Sequence, residues 1–183
     1  MITNYPKTAF DCDVLFADVF PDTVLLEGQT MLQIGGRPGR GLEIIYEGFA
    51  QYGYKTLDLL EIWQPNLEAI QCPLITKKIL GDMRTIDTLV TAPYDVIVAW
   101  HSVEHISKED GKEALAKMVA LSNLSVIWGM PWGNYPQDAM YGNPNEEHKS
   151  HWQADELEAL GFQVYTFGDG PNNDNMMFGV LFR

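Results

Sequence analysis

From residue 31 to residue 128, short apolar runs alternate with longer segments whose apolar residues return at helical spacing. Residues 31–34 predict a strand, and beyond a glycine-rich turn Leu42, Ile45, Phe49 and Ala50 mark one face of a helix that Gly53 stops. Residues 56–60 predict a second strand ending at Glu61, residues 66–70 a short helix, and residues 74–80 a third strand ending at Gly81 and Asp82. Residues 94–100 contain the consecutive apolar run Val96, Ile97, Val98 and Ala99, which predicts a strand buried on both faces and therefore parallel pairing. Ser107 and Asp110 form a capping pair for a helix whose apolar side carries Ala114, Leu115, Met118, Val119 and Leu121, and residues 124–128 predict a fifth strand. Residues 155–160 predict a last helix closed by Gly161. Residues 162–167 and 176–182 predict an antiparallel hairpin across the turn 168–175.

Residues 129–150 break this rhythm. They are crowded with glycine, proline, asparagine and aromatics, show no period, and predict a long loop. Loops of that size in compact domains usually carry function, so this one is the candidate wall of a substrate site, the alternative being a surface excursion.

Alternating units of this kind build an open, mostly parallel sheet covered by helices on both faces, with ligands at the carboxyl ends of the strands. Four features stand at those ends: the glycine-rich stretch 32–41, Glu61, Asp82, and Trp100 with His101. Glycines let a ligand approach the main chain, and the following helix offers unpaired N–H groups, so the first loop is a candidate nucleotide-binding surface. An acid ending the second strand, Glu61, is placed to accept both hydroxyl hydrogen bonds of a ribose, with Asp58, three residues earlier, as the alternative.

Composition narrows the partners. The chain has 183 residues, 46% of them hydrophobic and 11% aromatic, which suits one folded domain over residues 1–183 with residues 1–29 as an amino-terminal arm. Its 25 acids against 12 bases give a net charge of −13, opposing the attraction on which nucleic-acid or anionic-membrane binding relies and favouring a small-molecule partner. Cys12 and Cys72 form no CxxC pair, so no disulfide framework or cysteine metal knuckle is expected, and a cytoplasmic, reducing setting is the default. No apolar run reaches membrane-spanning length, and the oligomeric state is left open.

The sequence resembles the class I S-adenosylmethionine-dependent methyltransferases. The family's glycine motif is similar to residues 31–39, its ribose acid resembles Glu61 within 61–66, and its adenine-binding acid resembles Asp82 within Leu80-Gly81-Asp82-Met83. Residues 94–106, which end in Val103-Glu104-His105-Ile106, are similar to its fourth-strand signature, and His148-Lys149-Ser150-His151-Trp152 resembles its carboxyl-terminal region. The resemblance implies a three-layer Rossmann-like fold with a seven-stranded, mostly parallel sheet and an antiparallel carboxyl-terminal hairpin. It also implies S-adenosylmethionine as cofactor, held by Gln33, Gly35, Gly36, Arg37, Gly39, Glu61, Asp82, Met83 and Trp100, and methyl transfer to a small acceptor such as a sugar or secondary metabolite.

Two positions depart from the motif: Gln33 stands where the family usually has an acid, and Arg37 where it has its central glycine. Gln33 still hydrogen-bonds but brings no carboxylate to a sulfonium or ammonium group, so the alternative is a protein that keeps the fold and has lost turnover. Histidine is the natural base for a hydroxyl acceptor near neutral pH, which makes His101 the first candidate and His148 the second. His105 is expected to be structural, with Glu104 orienting it or supporting the pocket. His101-Ser102-Val103-Glu104-His105 also reads as the HxxEH arrangement of a zinc hydrolase, a distant third reading, because that motif must lie within a helix and here it follows a strand. Trp128, Trp132, Tyr135 and Tyr141 are candidates to stack on a ring substrate. Arg37, Arg40 and Lys149 are candidates to attract an anionic group, and Met83, Thr85 and Ile86 to shape an adenine pocket.

Overall fold

Val96, Ile97, Val98 and Ala99 are all fully buried in a computed structural model of the chain, which describes residues 2–5, 29–171 and 175–183. They lie in β5 (Tyr94–Trp100). The elements before it are β1 (Ile2–Tyr5), β2 (Thr30–Ile34), α1 (Arg40–Gln51), β3 (Thr56–Glu61), α2 (Gln64–Ala69), β4 (Lys77–Leu80) and α3 (Ile86–Leu89). After it come α4 (Lys108–Leu121), β6 (Ser122–Pro131), α5 (Ala154–Ala159), β7 (Gln163–Phe167) and β8 (Met176–Phe182). Single 3-10 turns at Met83–Thr85, Val103–His105 and Pro144–Glu146 punctuate the connections.

The sheet order is β1-β7-β8-β6-β5-β2-β3-β4, with β8 antiparallel to both neighbours and every other pair parallel. Strands buried on both faces explain the continuous apolar runs. Met31, Leu57, Leu59, Val96 and Val98 pack with Ile45, Tyr46 and Phe49 of α1 on one side, while Leu32, Leu60, Ile97 and Ala99 pack with Leu115 and Met118 of α4 and Leu157 of α5 on the other. The chain order reverses between β2 and β5, the switch point where an open α/β sheet leaves a crevice at its carboxyl edge.

Three boundaries differ from expectation. The sheet has an eighth strand, because residues 2–5 pair in parallel with β7 from Ile2 opposite Val164 to Tyr5 opposite Phe167; four residues carry too short a pattern to announce a strand. The rest of the amino-terminal arm, with Cys12, lies outside the described residues, as do 172–174 of the hairpin turn. The third strand starts at Lys77 rather than 74: Leu74 and Ile75 pack on the core from a turn in which the Ile75 N–H donates to the Cys72 carbonyl at 3.3 Å. Finally, β6 runs through Pro131, since Gly129, Met130 and Pro131 stay paired with Phe178, Met177 and Met176 of β8, so the loop expected at 129 begins after 131.

That loop is tied down. Trp132 bridges Trp152, the Gly133 N–H donates to the Trp152 carbonyl at 2.8 Å, and the Lys149 and Ser150 N–H groups both donate to the Glu104 carbonyl at 2.8 and 3.0 Å. The 3-10 turn after β5 and the far end of the loop are thereby held side by side.

Candidate functional site

A cleft of about 510 Å³ opens at the carboxyl edge, where β2, β3, β4 and β5 deliver the glycine loop, Glu61, Asp82 and His101 to one space. Gln33, Gly35, Gly36, Arg37, Gly39, Met83 and Trp100 line it too, as do Glu104, His105, His148 and Lys149. Sequence position alone brought all four strand ends together. What it did not reveal is how each polar group is already engaged.

Gly35 has φ +77°, and its N–H donates to the Leu60 carbonyl at 2.8 Å, so the chain turns sharply as β2 ends. A Cβ there would fall 2.1 Å from Ser102 Oγ, which donates to the carbonyls of Ile34 at 2.7 Å and Trp100 at 3.0 Å. Ser102 thus clamps the ends of β2 and β5, a role that its place in the sequence did not announce.

Glu61 is buried, and its carboxylate braces the same loop. Oε2 accepts the Gly36 N–H at 2.8 Å and Oε1 the Trp63 N–H at 2.7 Å. Burial pushes its pKa up, and these two hydrogen bonds offset part of the rise. Each oxygen keeps a further lone pair for a ligand hydroxyl. Asp58, the alternative, lies further back in β3, buried, with Oδ2 accepting the Tyr94 hydroxyl at 2.5 Å, and it is not part of the cleft lining.

Gln33 is 1% exposed at the floor of the cleft. Its Nε2 donates to the carbonyls of Ile34 and Gly35 at 3.3 and 3.2 Å, which leaves Oε1 buried with no hydrogen-bond partner. A buried acceptor without a donor is costly, and this one belongs to a residue of the cleft lining.

Asp82 caps the turn Met83–Thr85, Oδ1 accepting the Arg84 N–H at 2.9 Å, and the Arg84 guanidinium folds back on the carboxylate at 2.5 Å. Burial pushes Asp82 up, but the hydrogen bonds and charge of Arg84 outweigh it and hold the pKa below the usual carboxylate range. Met83 lines the cleft beside it, whereas Ile86 is buried in the core and Thr85 is exposed. Trp100, 5% exposed, lies across Gly129, where a Cβ would meet its ring at 2.2 Å.

His101 takes φ +50°, a left-handed backbone that a non-glycine residue adopts at a cost, and its N–H donates to the Gly129 carbonyl at 2.7 Å. Its ring stands at the cleft, with Nδ1 3.5 Å from Glu104 Oε1. The Glu104 side chain is buried. Burial pushes its carboxyl up, and the neighbouring His101 and His105 more than offset that, so the pKa is lowered. His148 donates its backbone N–H to the Gln137 carbonyl at 2.9 Å, and its Nδ1 lies 2.6 Å from the Tyr135 carbonyl. Burial pushes its pKa down, favouring the neutral ring. His105 is placed in the same way, Nδ1 3.2 Å from the Glu147 carbonyl, with its ring centroid 4.9 Å from that of His148.

The helical frame of the HxxEH reading is absent from this segment: residues 101–105 comprise a strand end and one 3-10 turn. The four aromatics also separate. Trp128 is core, between Trp152 and Phe162; Trp132 packs partly buried against the same cluster; Tyr135 lines the cleft; Tyr141 is 73% exposed, with the Arg37 guanidinium 4.8 Å above its ring. Lys149, one of the basic candidates for an anionic group, lines the cleft.

No protein-family model and no curated protein sequence matches the chain. Solved structures do. Magnesium protoporphyrin IX methyltransferase from Synechocystis PCC 6803, with bound SAH, aligns over 96% of this chain and 83% of its own at 13% identity and a TM-score of 0.64. A SAM-dependent methyltransferase from Archaeoglobus fulgidus aligns over 95% and 98% at 15% identity and 0.63. The mitomycin 7-O-methyltransferase MmcR aligns over 96% of this chain and 54% of its own at 16% identity and 0.63.

Proposed function

We propose that this chain transfers a methyl group from S-adenosylmethionine to a small acceptor. Its α/β architecture, with a parallel core and antiparallel carboxyl-terminal strands, is the class I methyltransferase fold shared with those enzymes. The observation that supports the reading most is the buried, orphaned Oε1 of Gln33, a residue that lines the same cleft as the glycine loop, Glu61 and Asp82. That acceptor suits the ammonium of the cofactor's amino-acid end, with the glycine loop close by. Glu61 has lone pairs left for the ribose hydroxyls, and Asp82 beside Met83 suits the adenine. Bound there, the cofactor supplies an electrophilic methyl on a sulfonium. The chain's own work is to hold the acceptor beside Tyr135, exclude water, and take the hydroxyl proton at an imidazole, His101 first and His148 second. The net charge of −13 favours a small acceptor over a nucleic acid, and no described helix is long and apolar enough to cross a membrane. The chain is read as one domain working in a reducing cytoplasm, where Cys72 stays a buried free thiol.

Two observations favour a second reading, a cofactor-binding protein without turnover: Arg84 already neutralises Asp82, and Gln33 brings no charge. Calorimetric titration with S-adenosylmethionine and S-adenosylhomocysteine tests the first step. Heat of one-to-one binding is expected, and its absence at high protein concentration would remove the cofactor assignment. Binding without methyl transfer across an acceptor panel would favour the second reading.

A further inference from the structure

The methyl-transfer reading gives no role to Glu104 or His105 in the cleft wall and uses His148 only as the second choice of base. Glu104 and His105 sit on the 3-10 turn after β5, His148 comes from the far end of the loop, and one donor atom of each lies within 4.8 Å of the donor atoms of the other two. We propose that Glu104, His105 and His148 bind a divalent transition-metal ion whose open coordination positions take an oxygen of the methyl acceptor.

Three observations carry the site. The first is the setting of the two imidazoles. Each places Nδ1 against a backbone carbonyl, His105 on Glu147 at 3.2 Å and His148 on Tyr135 at 2.6 Å. A proton on Nδ1 makes those contacts hydrogen bonds and leaves the lone pair on Nε2. A carbonyl behind each ring is the usual support of a metal-binding histidine, because it fixes the tautomer and the ring plane.

The second is Glu104. The residue is 2% exposed and both carboxylate oxygens are buried; His101 Nδ1 pairs with Oε1 at 3.5 Å, and Oε2 has no hydrogen-bond partner. A buried carboxylate is stable only when paired or coordinating. With Oε1 turned to His101, Oε2 remains for a cation.

The third is the tether. The Lys149 and Ser150 N–H groups both hold the Glu104 carbonyl, so the residue after His148 is pinned to the turn that carries the other two donors. Donors from two distant stretches of chain are therefore held together by backbone hydrogen bonds.

Two imidazoles and one carboxylate suit zinc, cobalt, manganese or iron better than magnesium or calcium, which prefer all-oxygen sets. Metal–ligand bonds of about 2.1 Å bring tetrahedral donors to about 3.4 Å apart, so small side-chain rotations close the 4.8 Å cluster on an ion. All three residues line the cleft, which leaves the open positions facing the bound acceptor. This is not the HxxEH arrangement: Glu104 is a ligand here, not a base, and His148 takes the place that His101 would hold. The metal site stands on its own geometry; its service to an acceptor rests on the methyl-transfer reading.

Co²⁺ titrated into the full-length protein, followed by visible absorption and calorimetry, tests the site. One equivalent is expected to bind, Glu104→Gln and His148→Ala to weaken binding at least about tenfold, and His151→Ala to leave it unchanged. If a variant fails to fold, proton NMR of the Co²⁺-loaded parent decides, with two hyperfine-shifted, exchangeable imidazole N–H signals expected. No stoichiometric Co²⁺ or Zn²⁺ binding, unchanged affinity in both folded variants, or fewer than two such signals would overturn the proposal. S-adenosylmethionine titrated into the same samples separates the two readings. Cofactor binding without metal leaves methyl transfer standing and removes the metal site, whereas metal without cofactor does the reverse.

Discussion

The carboxylate of Glu61 accepts the N–H of Gly36 at 2.8 Å, so the residue proposed to meet the ribose also braces the loop on which the cofactor would lie. Replacing it tests both roles. Glu61→Gln puts an amide where two backbone N–H groups now find acceptors, and hydrogen bonds to a charged group are worth about 1.5–3 kcal/mol. S-adenosylmethionine affinity should fall about ten- to hundredfold, with a lowered melting temperature. Calorimetry on the folded variant checks this, and an unchanged Kd would remove Glu61 from the pocket.

Gly35 and Ser102 should be energetically coupled. Gly35→Ala forces a side chain into φ +77° and sets its Cβ 2.1 Å from Ser102 Oγ. Strain of this kind costs about 1–3 kcal/mol before the clash is counted. In a Ser102→Ala background the hydroxyl is gone and the nearest Ser102 atom is Cβ at 3.1 Å, so the same substitution should cost less. A double-mutant cycle by urea unfolding that shows strict additivity would mean that the two residues do not meet.

The sequence made the succession of strands from β2 to β8 along the chain, and the cluster of residues at the carboxyl ends of the parallel ones, legible, because buried parallel strands read as unbroken apolar runs and loops at one edge must converge. It told less about engagement. Arg84 capping Asp82, Ser102 clamping two strands, and His148 arriving beside His105 depend on side-chain direction and on a loop without a period. Asp95, part of the quoted fourth-strand signature, lies at the opposite end of β5, where it accepts the Thr30 N–H at 2.9 Å and the Asn123 amide at 3.1 Å. Its presence in the motif is structural.

The ion pair of Asp82 and Arg84 gives stability a defined pH dependence. Asp82 has a folded pKa below its unfolded value of 3.8, so its contribution is present above that value and is lost as pH falls through the depressed folded one. Asp82→Asn should therefore lose less stability than the parent over that acid range. Urea midpoints from about pH 5 down to about pH 3 measure the difference, and parallel curves would mean that the pair adds nothing.

Of the aromatics, Trp128 should matter to folding and Tyr141 should not. Trp128 is fully buried against Trp152 and Phe162, and truncating such a residue to alanine costs about 3–5 kcal/mol. Tyr141 is 73% exposed, and its contact with Arg37 is of the kind worth about 0.5–1 kcal/mol at the surface. Chemical denaturation of the two alanine variants should separate them by at least about 2 kcal/mol, the difference between those two ranges. Similar losses would place Tyr141 in a packed contact that its exposure does not show.

His101 sets stability against chemistry. Its φ of +50° is one that glycine adopts freely and that costs other residues about 1–2 kcal/mol, and the backbone is held there by the hydrogen bond from its N–H to the Gly129 carbonyl at 2.7 Å. His101→Ala loses the imidazole and keeps the strain; His101→Gly loses the imidazole and relieves it. The glycine variant should be the more stable of the two by about 0.5–1 kcal/mol, the strain relieved less the extra freedom glycine gains in the unfolded chain. Both should lose methyl transfer while retaining cofactor binding, because the imidazole is assigned to the acceptor's proton and not to the cofactor. Equal stability of the two variants would mean that the strand end relaxes once the histidine is gone, and retained turnover would move the proton to another group in the cleft.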